Sequence, residues 1–195
     1  ADKKPARLRT RERVLNDDEL STLYSYVRKN RSLFHDMVAL LILTGQRRTE
    51  ISHMRWDEVE DGCLKLSADR TKNHRSHTLP LPPTALGILE TRPSIGPFVF
   101  AGKDPSKPFN GFKRTKDALD ASIGIEHFTL HDLRRTFSSN MARLAIPIHV
   151  TEKILNHQSG SFGGVAGIYN RHSYFEEMKA AMTLYDAYLE NLLNQ

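Results

Sequence analysis

Two arginines, two histidines and a tyrosine follow one another along this chain in an order that suits the cleavage of a phosphodiester bond. They are Arg47, His131, Arg134, His157 and Tyr169. An arginine can bind two phosphate oxygens at once through its planar guanidinium group. A histidine can hold a phosphate or transfer a proton, and a tyrosine hydroxyl can attack the phosphorus. The sequence therefore predicts one site for phosphoryl transfer.

Short motifs surround each of these residues. Arg47 lies in the segment Thr-Gly-Gln-Arg-Arg-Thr-Glu, His131 and Arg134 form a His-x-x-Arg pair, and Leu-Asn-His ends at His157, upstream of Tyr169. Taken alone, an Arg-x-x-Glu pair is typical of a helical salt bridge, and a His-x-x-Arg pair is common in proteins. All of these motifs in this order would rarely occur together by accident, which favours a functional interpretation.

The elements predicted to carry these residues are mainly helices. Asn16 and Glu19 form a helix-starting pair, and the apolar segment 33–44 predicts a buried helix that Gly45 ends. Strands over residues 63–66 and 77–79 flank a polar loop. Further helices are predicted over residues 84–90, 111–122 and 173–194. Another helix begins after Thr129, and a short one ends at Leu155. The predicted fold class is therefore mainly α with a small antiparallel β-sheet.

The composition is that of an ordinary folded domain. The chain has 195 residues, enough for one sizeable domain, with 39% hydrophobic and 26% charged residues. Its longest apolar run, residues 37–43, is far too short to cross a bilayer, and the charged amino terminus lacks the apolar core of a signal peptide. A single cysteine, Cys63, leaves neither an internal disulfide nor a cysteine-based metal site, which favours a reducing, cytoplasmic setting.

Charge is unevenly distributed along the chain, whose formal net charge is +5. Residues 1–13 contain six basic and two acidic side chains, whereas residues 173–195 contain one lysine and four acidic side chains. A basic leading segment indicates binding to a polyanion, although charged segments are often simply solvated. We expect residues 1–15 to be a linker and residues 16–195 to form one domain that ends in a helix over 173–194.

The five residues and their motifs resemble the signature of the tyrosine recombinases, the phage integrase family, and in particular the integrases of prophages. The resemblance extends over nearly the whole chain. Asn156 stands where family members usually have glycine, and the interval from His157 to Tyr169 is longer than in many relatives. The glycine-rich segment 163–171 nevertheless resembles a prophage-integrase subgroup that has this longer interval.

The resemblance implies the fold of a DNA breaking-rejoining catalytic domain, in which Tyr169 is the nucleophile. Tyr169 would form a 3′-phosphotyrosyl bond, and Tyr174, five residues later, is the alternative nucleophile. Lys72 lies in the loop between the two strands, where the family places a lysine that protonates the leaving oxygen. A DNA phosphate contact and an exposed loop charge are the other interpretations of this lysine.

The resemblance also implies roles for the arginines and histidines. Arg47 and Arg134 would stabilise the negative charge on the phosphate, and His131 would assist proton transfer or hold the phosphate. His157 would hydrogen-bond a nonbridging oxygen. This chemistry needs no cofactor and no metal ion, because the phosphotyrosine itself stores the energy of the broken bond.

Partners and further parts follow from the same resemblance. They are double-stranded DNA attachment sites, other copies of the protein in a tetramer at synapsis, and accessory DNA-bending proteins, with no membrane partner. The protein would act in a bacterial cytoplasm in association with the nucleoid. Family members place DNA-binding modules before this domain, so residues 1–15 would be the remnant of a basic interdomain linker. The helix after Ser173 would dock on a neighbouring protomer or pack back on its own domain.

Other functions stay open at this stage. A type IB topoisomerase uses the same chemistry without joining two DNA sites, and a non-catalytic DNA-binding relative would not need Tyr169. A metal-dependent nuclease is the third alternative, although no dispersed set of acidic residues stands out for a two-metal mechanism. The motifs together favour a site-specific DNA recombinase.

Overall fold

The computed structural model describes residues 12–157 and 173–194, and in this part of the chain helices surround a small sheet. The helices are α1 (Asp17–Lys29), α2 (Leu33–Thr44), α3 (Arg48–Ser52), α4 (Pro83–Glu90), α5 (Phe112–Ile123), α6 (Leu130–Arg143), α7 (Ile148–Ile154) and α8 (Phe175–Leu193). The strands are β1 (Val59–Glu60), β2 (Cys63–Leu66) and β3 (His77–Pro80), antiparallel in the order β1-β2-β3. The predicted fold class is confirmed.

The start of α1 and the end of α2 follow the predicted local rules. The Asn16 side chain accepts from the backbone N–H of Glu19 at 2.9 Å, and the Glu19 carboxylate accepts from the backbone N–H of Asn16 at 3.0 Å. Gly45 ends α2 in the left-handed conformation, with φ of +63°. A Cβ atom at this glycine would lie 2.5 Å from Cδ1 of Phe137, so neither the backbone nor the packing tolerates a side chain there.

Helix α2 is the centre of the hydrophobic core. Every residue from 36 to 44 is buried, and α1, α4, α6 and α8 pack around this helix. Fully burying one leucine side chain stabilises a fold by about 1.5–3 kcal/mol, so a helix that is apolar on all sides can form only inside such a ring of partners. These surrounding helices fix the direction in which the chain leaves α2. The first predicted site residue, Arg47, comes three residues after the end of α2.

The sheet presents a ten-residue loop between β2 and β3. Leu64 pairs with Leu79 and Leu66 with His77, so the loop occupies residues 67–76 and begins with a 3₁₀ turn, Ala68–Arg70. The two strands were predicted, whereas β1 and α3 were not. With two and five residues, these elements are too short to show a periodic pattern in the sequence.

The last helix, α8, packs on its own domain. Tyr185 is buried against Phe137, with ring centroids 4.8 Å apart, and Tyr188 donates a hydrogen bond of 2.7 Å to Asp17 in α1. Burial raises the pKa of Tyr185 far above its usual value, so its hydroxyl stays protonated. The helix predicted over 173–194 therefore contributes to this core. No helix in the described part of the chain is long and apolar enough to cross a membrane.

Candidate phosphate-binding site

A cavity of about 660 Å³ opens where the end of α2, the β2–β3 loop, α5 and α6 meet. Four of the six side chains predicted for the site line this cavity: Arg47, Lys72, His131 and Arg134. They come from three separate regions of the sequence, and only folding brings them together. The geometry of each side chain decides what the cavity can bind.

Arg134 is held by main-chain oxygens. Its side chain is buried, with 5% of its surface exposed, and it donates from Nη1 to the carbonyl of Gly45 at 2.8 Å and from Nη2 to the carbonyl of Leu155 at 2.6 Å. Burial, and then the nearby charge of Arg47, lower the pKa of Arg134 to about 10. In residues 12–157 and 173–194 no carboxylate hydrogen-bonds this guanidinium group. Glu50 and Glu152 lie near enough to favour its charge without bonding to it, and a phosphate in the cavity would supply a hydrogen-bonded anionic partner.

Arg47 is the N-cap residue of α3, and its side chain forms a salt bridge with Glu50. Its Nη1 is 2.7 Å from Oε1 of Glu50, and its backbone N–H donates to Oε2 of the same carboxylate at 2.9 Å. Glu50 is buried, whereas 21% of the Arg47 side chain is exposed. The salt bridge that the motif suggested is therefore present, and it orients the arginine toward the cavity.

His131 lies one helical turn before Arg134. The Asp132 carboxylate accepts from the backbone N–H and the hydroxyl of Thr129, each at 2.8 Å, which fixes the start of α6 and so the direction of both side chains. Partial desolvation, followed by the charges of Arg135 and Arg134, lowers the pKa of His131 below its ordinary value. A neutral imidazole can accept a proton, so His131 suits the role of a base at neutral pH.

Lys72 is exposed at the rim of the cavity, two residues after the 3₁₀ turn. The turn is anchored by Arg70, which donates from Nε to Glu58 at 2.6 Å and from Nη2 to the carbonyl of His53 at 2.7 Å. Lys72 itself forms no ion pair with any residue that the structure describes. The loop therefore presents to the same space as the two arginines an ammonium group that no described carboxylate neutralises.

His157 lines a different, smaller pocket of about 270 Å³ together with Arg75 and Glu152. Its Nδ1 lies 2.9 Å from Oε1 of Glu152. The structure thus places His157 beside the arginine cavity rather than among its lining residues. The connection is Arg134, whose second hydrogen bond ends on Leu155, two residues before this histidine.

A model of the phage integrase family matches residues 13–176. The chain belongs to the phage integrase family. It is 30% identical to the prophage integrase IntZ of Escherichia coli (strain K12) in an alignment of 164 residues that covers 80% of this chain and 39% of that protein. The chain thus spans about two fifths of the length of the curated relatives that it matches first.

Solved structures of lambda integrase share the fold. A lambda integrase dimer bound to a COC′ core site matches with a TM-score of 0.64 and 21% identity, over 80% of this chain and 61% of that one. A lambda integrase tetramer bound to a Holliday junction matches with a TM-score of 0.64 and 20% identity, over 88% of this chain and 51% of that one. The predicted DNA breaking-rejoining fold is confirmed by these matches.

The turn after α7 has a backbone that suits the glycine expected at position 156 from the family resemblance. Asn156 has a φ of +50°, in the left-handed region that glycine adopts freely and that asparagine tolerates better than most residues. The carbonyl of Ile154, two residues earlier, accepts from Nε2 of Gln46 at 2.9 Å and from Nε2 of His77 at 3.0 Å. Sequence reasoning missed these supports, because main-chain acceptors leave no signal in the side-chain pattern.

His77, which bonds to the carbonyl of Ile154, is buried and uncharged. Burial is the main cause that lowers its pKa to about 4. Since Nε2 faces a carbonyl oxygen, that nitrogen carries the proton. The sequence had placed His77 only in a strand, and the structure shows that this strand residue holds the end of α7 in place.

The predicted nucleophile, Tyr169, lies outside the described residues. Tyr174, the alternative, immediately precedes α8 and has a φ of +55°. Its half-buried ring lies 4.9 Å from the ring of His149 and near Nζ of Lys153. Tyr174 is not among the side chains that line the arginine cavity.

Further basic side chains extend the cavity wall along α3 and α5. Arg48 lies over the ring of Phe112 at 4.8 Å, and Lys116 lies over the ring of Phe128 at 3.8 Å. Lys113 is paired with Asp117 at 2.8 Å. Lys116 is likewise paired with Asp120, and the Phe128 ring is fully buried. Of these three basic side chains, Arg48 is therefore the one that forms no ion pair with a described residue and is left to contact a polyanion.

Proposed function

We propose that this chain is the catalytic domain of a site-specific DNA recombinase that cuts and rejoins DNA through a 3′-phosphotyrosyl intermediate. The observation that carries the proposal is Arg134, a buried guanidinium group held by two carbonyl oxygens and facing a cavity that it shares with Arg47, Lys72 and His131. Each of its terminal nitrogens donates one N–H to a carbonyl and keeps a second N–H for a phosphate oxygen.

In the proposed step, the Tyr169 oxygen forms a bond to phosphorus while the bond from phosphorus to the 5′-oxygen breaks. The proton of the tyrosine moves to neutral His131, and Lys72 gives a proton to the departing 5′-oxygen, so the DNA ends in a free 5′-hydroxyl. Arg47 and Arg134 stabilise the added charge on the nonbridging oxygens, and His157 hydrogen-bonds one of them. Attack by the 5′-hydroxyl of another strand reverses the step and reseals the DNA.

We further propose that the protein acts on duplex DNA as an assembly of several copies. The support is the fold shared with lambda integrase, whose structures include a dimer on a core site and a tetramer on a Holliday junction. The basic residues 1–15 would act as an interdomain linker that contacts DNA phosphates, and residues 16–195 would form the catalytic domain. Accessory DNA-bending proteins and association with the nucleoid belong to the same proposal.

The experiment that tests this proposal is trapping of the covalent adduct. The DNA that binds the protein most tightly is selected from a random pool and made as a series of duplexes whose nick is moved one nucleotide at a time. A nick beside the scissile phosphate releases the short 5′-hydroxyl fragment and prevents resealing. With EDTA present, we expect the wild-type protein to become attached to the 3′-phosphate end.

Two variants identify the nucleophile. Tyr169→Phe is expected to bind DNA as the wild type does but to form no adduct, whereas Tyr174→Phe keeps the adduct. A wild-type protein that binds the duplexes and never forms an adduct contradicts the recombinase proposal. An adduct that persists in Tyr169→Phe and vanishes in Tyr174→Phe reassigns the nucleophile.

A further inference from the structure

Two asparagine side chains join the β2–β3 loop to the turn after α7. Nδ2 of Asn73 donates to the main-chain oxygen of Asn156 at 2.8 Å and to its Oδ1 at 2.9 Å. Nδ2 of Asn156 lies 3.3 Å from Oδ1 of Asn73, which closes the pair. The two residues are 83 positions apart in the sequence. Because Asn73 follows Lys72 and Asn156 precedes His157, the amide pair connects the segment that contains Lys72 to the segment that contains His157.

The backbone of Asn156 is one that glycine would adopt more easily. A glycine at this position would keep the main-chain oxygen that Asn73 contacts, but it would lose both bonds between the two side chains. A non-glycine residue in the left-handed region costs conformational free energy. The asparagine thus adds a connection between loop and turn that a glycine at this position cannot make.

Lys72 lies between two anchors of its own loop. On its amino-terminal side Arg70 is fixed to Glu58 and to a main-chain oxygen, and on its carboxyl-terminal side Asn73 is fixed to Asn156. Lys72 has no ion pair with any described residue. The loop is therefore held on both sides of the lysine.

We propose that Asn73 and Asn156 are positioning residues that hold Lys72 where its ammonium group delivers a proton to the leaving 5′-oxygen. The proposal rests on the proposed recombinase function. In this step the bond from phosphorus to the 5′-oxygen breaks, its electron pair stays on that oxygen, the ammonium proton moves there, and the lysine is left as a neutral amine. The amide pair acts through Lys72 and does not itself contact the reacting atoms.

The test compares two versions of the nicked duplex, one with the ordinary 5′-oxygen at the scissile phosphate and one with sulfur in its place. A thiol has a pKa of about 8–9, so a thiolate leaves without receiving a proton. Only the oxygen substrate therefore depends on proton delivery. The variants are Asn73→Ala, Asn156→Gly and the double variant, with Lys72→Ala as the reference for a lost proton donor.

A matched control removes one amide hydrogen bond elsewhere. Asn30→Ala deletes the bond of 2.9 Å from Nδ2 of Asn30 to the carbonyl of Tyr26 at the end of α1. We expect this variant to form adduct at the wild-type rate on both substrates. Urea unfolding midpoints of all variants are measured beside the rates, and Asn156→Gly is expected to unfold close to the wild-type midpoint because relief of the backbone offsets the lost bonds.

We expect Asn73→Ala and Asn156→Gly each to slow adduct formation about tenfold on the oxygen substrate and to stay within about twofold of wild type on the sulfur substrate. The double variant should be no slower than Asn73→Ala, because both changes break one connection. Lys72→Ala should show the same dependence on the leaving atom with a larger loss.

Three results overturn the proposal. Equal losses on both substrates assign the asparagines to phosphate binding or to folding. Wild-type rates of both single variants on the oxygen substrate show that the pair positions nothing needed for cleavage. A Lys72→Ala variant that sulfur does not restore shows that Lys72 is not the proton donor. A wild-type protein that forms no adduct on either substrate is a different outcome, because it contradicts the recombinase function itself.

Discussion

Arg134 and Lys72 face the same cavity, but the protein holds them in opposite ways. Arg134 is buried and bonded to two main-chain oxygens that belong to the end of α2 and the end of α7. Lys72 is exposed, and only its neighbours in the loop, Arg70 and Asn73, are tied to other elements. One cation is built into the core, and the other stands on a tethered loop.

The difference matches two chemical tasks. Stabilising charge on phosphate oxygens is most effective when the donors are fixed before the reaction, because no reorganisation is then needed. A proton donor has to approach an oxygen that moves away from phosphorus, so an exposed side chain with freedom at its tip suits it better. We therefore expect the two cations to respond differently to every change that separates charge stabilisation from proton transfer.

The largest expected effect is the loss of Arg134. Arg134→Ala should slow adduct formation by about 10³-fold or more on nicked duplex DNA, since it removes charged donors from the phosphate. Replacing the 5′-oxygen by sulfur should not restore the rate, because the lost interaction is with the nonbridging oxygens. Single-turnover rates on the two substrates measure this.

Arg143→Ala is the matched control for that variant. Arg143 lies on the same helix and makes two bonds to Asp17, at 2.6 and 2.8 Å, but it does not line the cavity. We expect its adduct rate to stay within about twofold of wild type, as exposed ion pairs contribute little. A similar loss in both variants would mean that α6 is merely destabilised.

A somewhat smaller effect is expected for Lys72. Lys72→Ala should slow the oxygen substrate by about 10²–10³-fold, in the range that general acid catalysis contributes. On the sulfur substrate its rate should return to within about threefold of wild type, as for any lost proton donor. Failure of sulfur to rescue this variant would place Lys72 with Arg134 as a phosphate-binding residue and would remove the contrast between them.

Gly45, whose carbonyl accepts a hydrogen bond from Arg134, can be tested through the stability of the fold. Gly45→Ala should destabilise the domain by about 2–4 kcal/mol, the sum of a left-handed backbone penalty and overpacking against Phe137. Gly124→Ala is the control, since Gly124 also has a positive φ, of +65°, but has nothing within 4 Å of its added Cβ. Its loss should be about 1–2 kcal/mol. Urea unfolding compares the two, and equal losses would show that the Phe137 side chain gives way to a methyl group at position 45.

The smallest expected effect is the pH dependence of folding stability that buried His77 causes. His77 has a pKa of about 4 in the fold and about 6.5 in the unfolded chain, so between these values the unfolded chain binds more protons. Stability contributed by neutral His77 should therefore fall as the pH is lowered, by about 2 kcal/mol from pH 7 to pH 5.

His77→Gln removes this titration while its amide can still donate to the carbonyl of Ile154. Urea unfolding at pH 7 and pH 5 should show a smaller loss of stability for His77→Gln than for wild type. Equal losses in the two proteins would mean that His77 titrates in the fold as it does in the unfolded chain, and that its burial against α7 is not as described.

Much of the fold follows from local sequence rules. The cap at Asn16, the glycine stop at Gly45 and the all-apolar α2 each depend on residues within one turn of one another, so the sequence predicts them directly. The helix α3 and the strand β1 escape prediction because they are held by their surroundings and carry no period of their own.

The site likewise has features that local sequence predicts and features that depend on contacts between distant segments. The residue types of Arg47, His131 and Arg134 indicate the proposed chemistry, and their local helices predict which way they point. The position of His157 in a neighbouring pocket and the pairing of Asn73 with Asn156 depend on contacts between distant segments. The carbonyl oxygens that hold Arg134 belong to residues of any type, so no sequence pattern marks them.

The central claim is that the cavity lined by Arg134 binds the scissile phosphate. A structure of the trapped covalent adduct tests it most directly. We predict a phosphorus bonded to Oη of Tyr169, with nonbridging oxygens about 2.7–2.9 Å from guanidinium nitrogens of Arg47 and Arg134 and the two carbonyl bonds of Arg134 still in place. A phosphate bound outside this cavity, or an Arg134 that leaves Gly45 and Leu155 to reach it, would contradict the account.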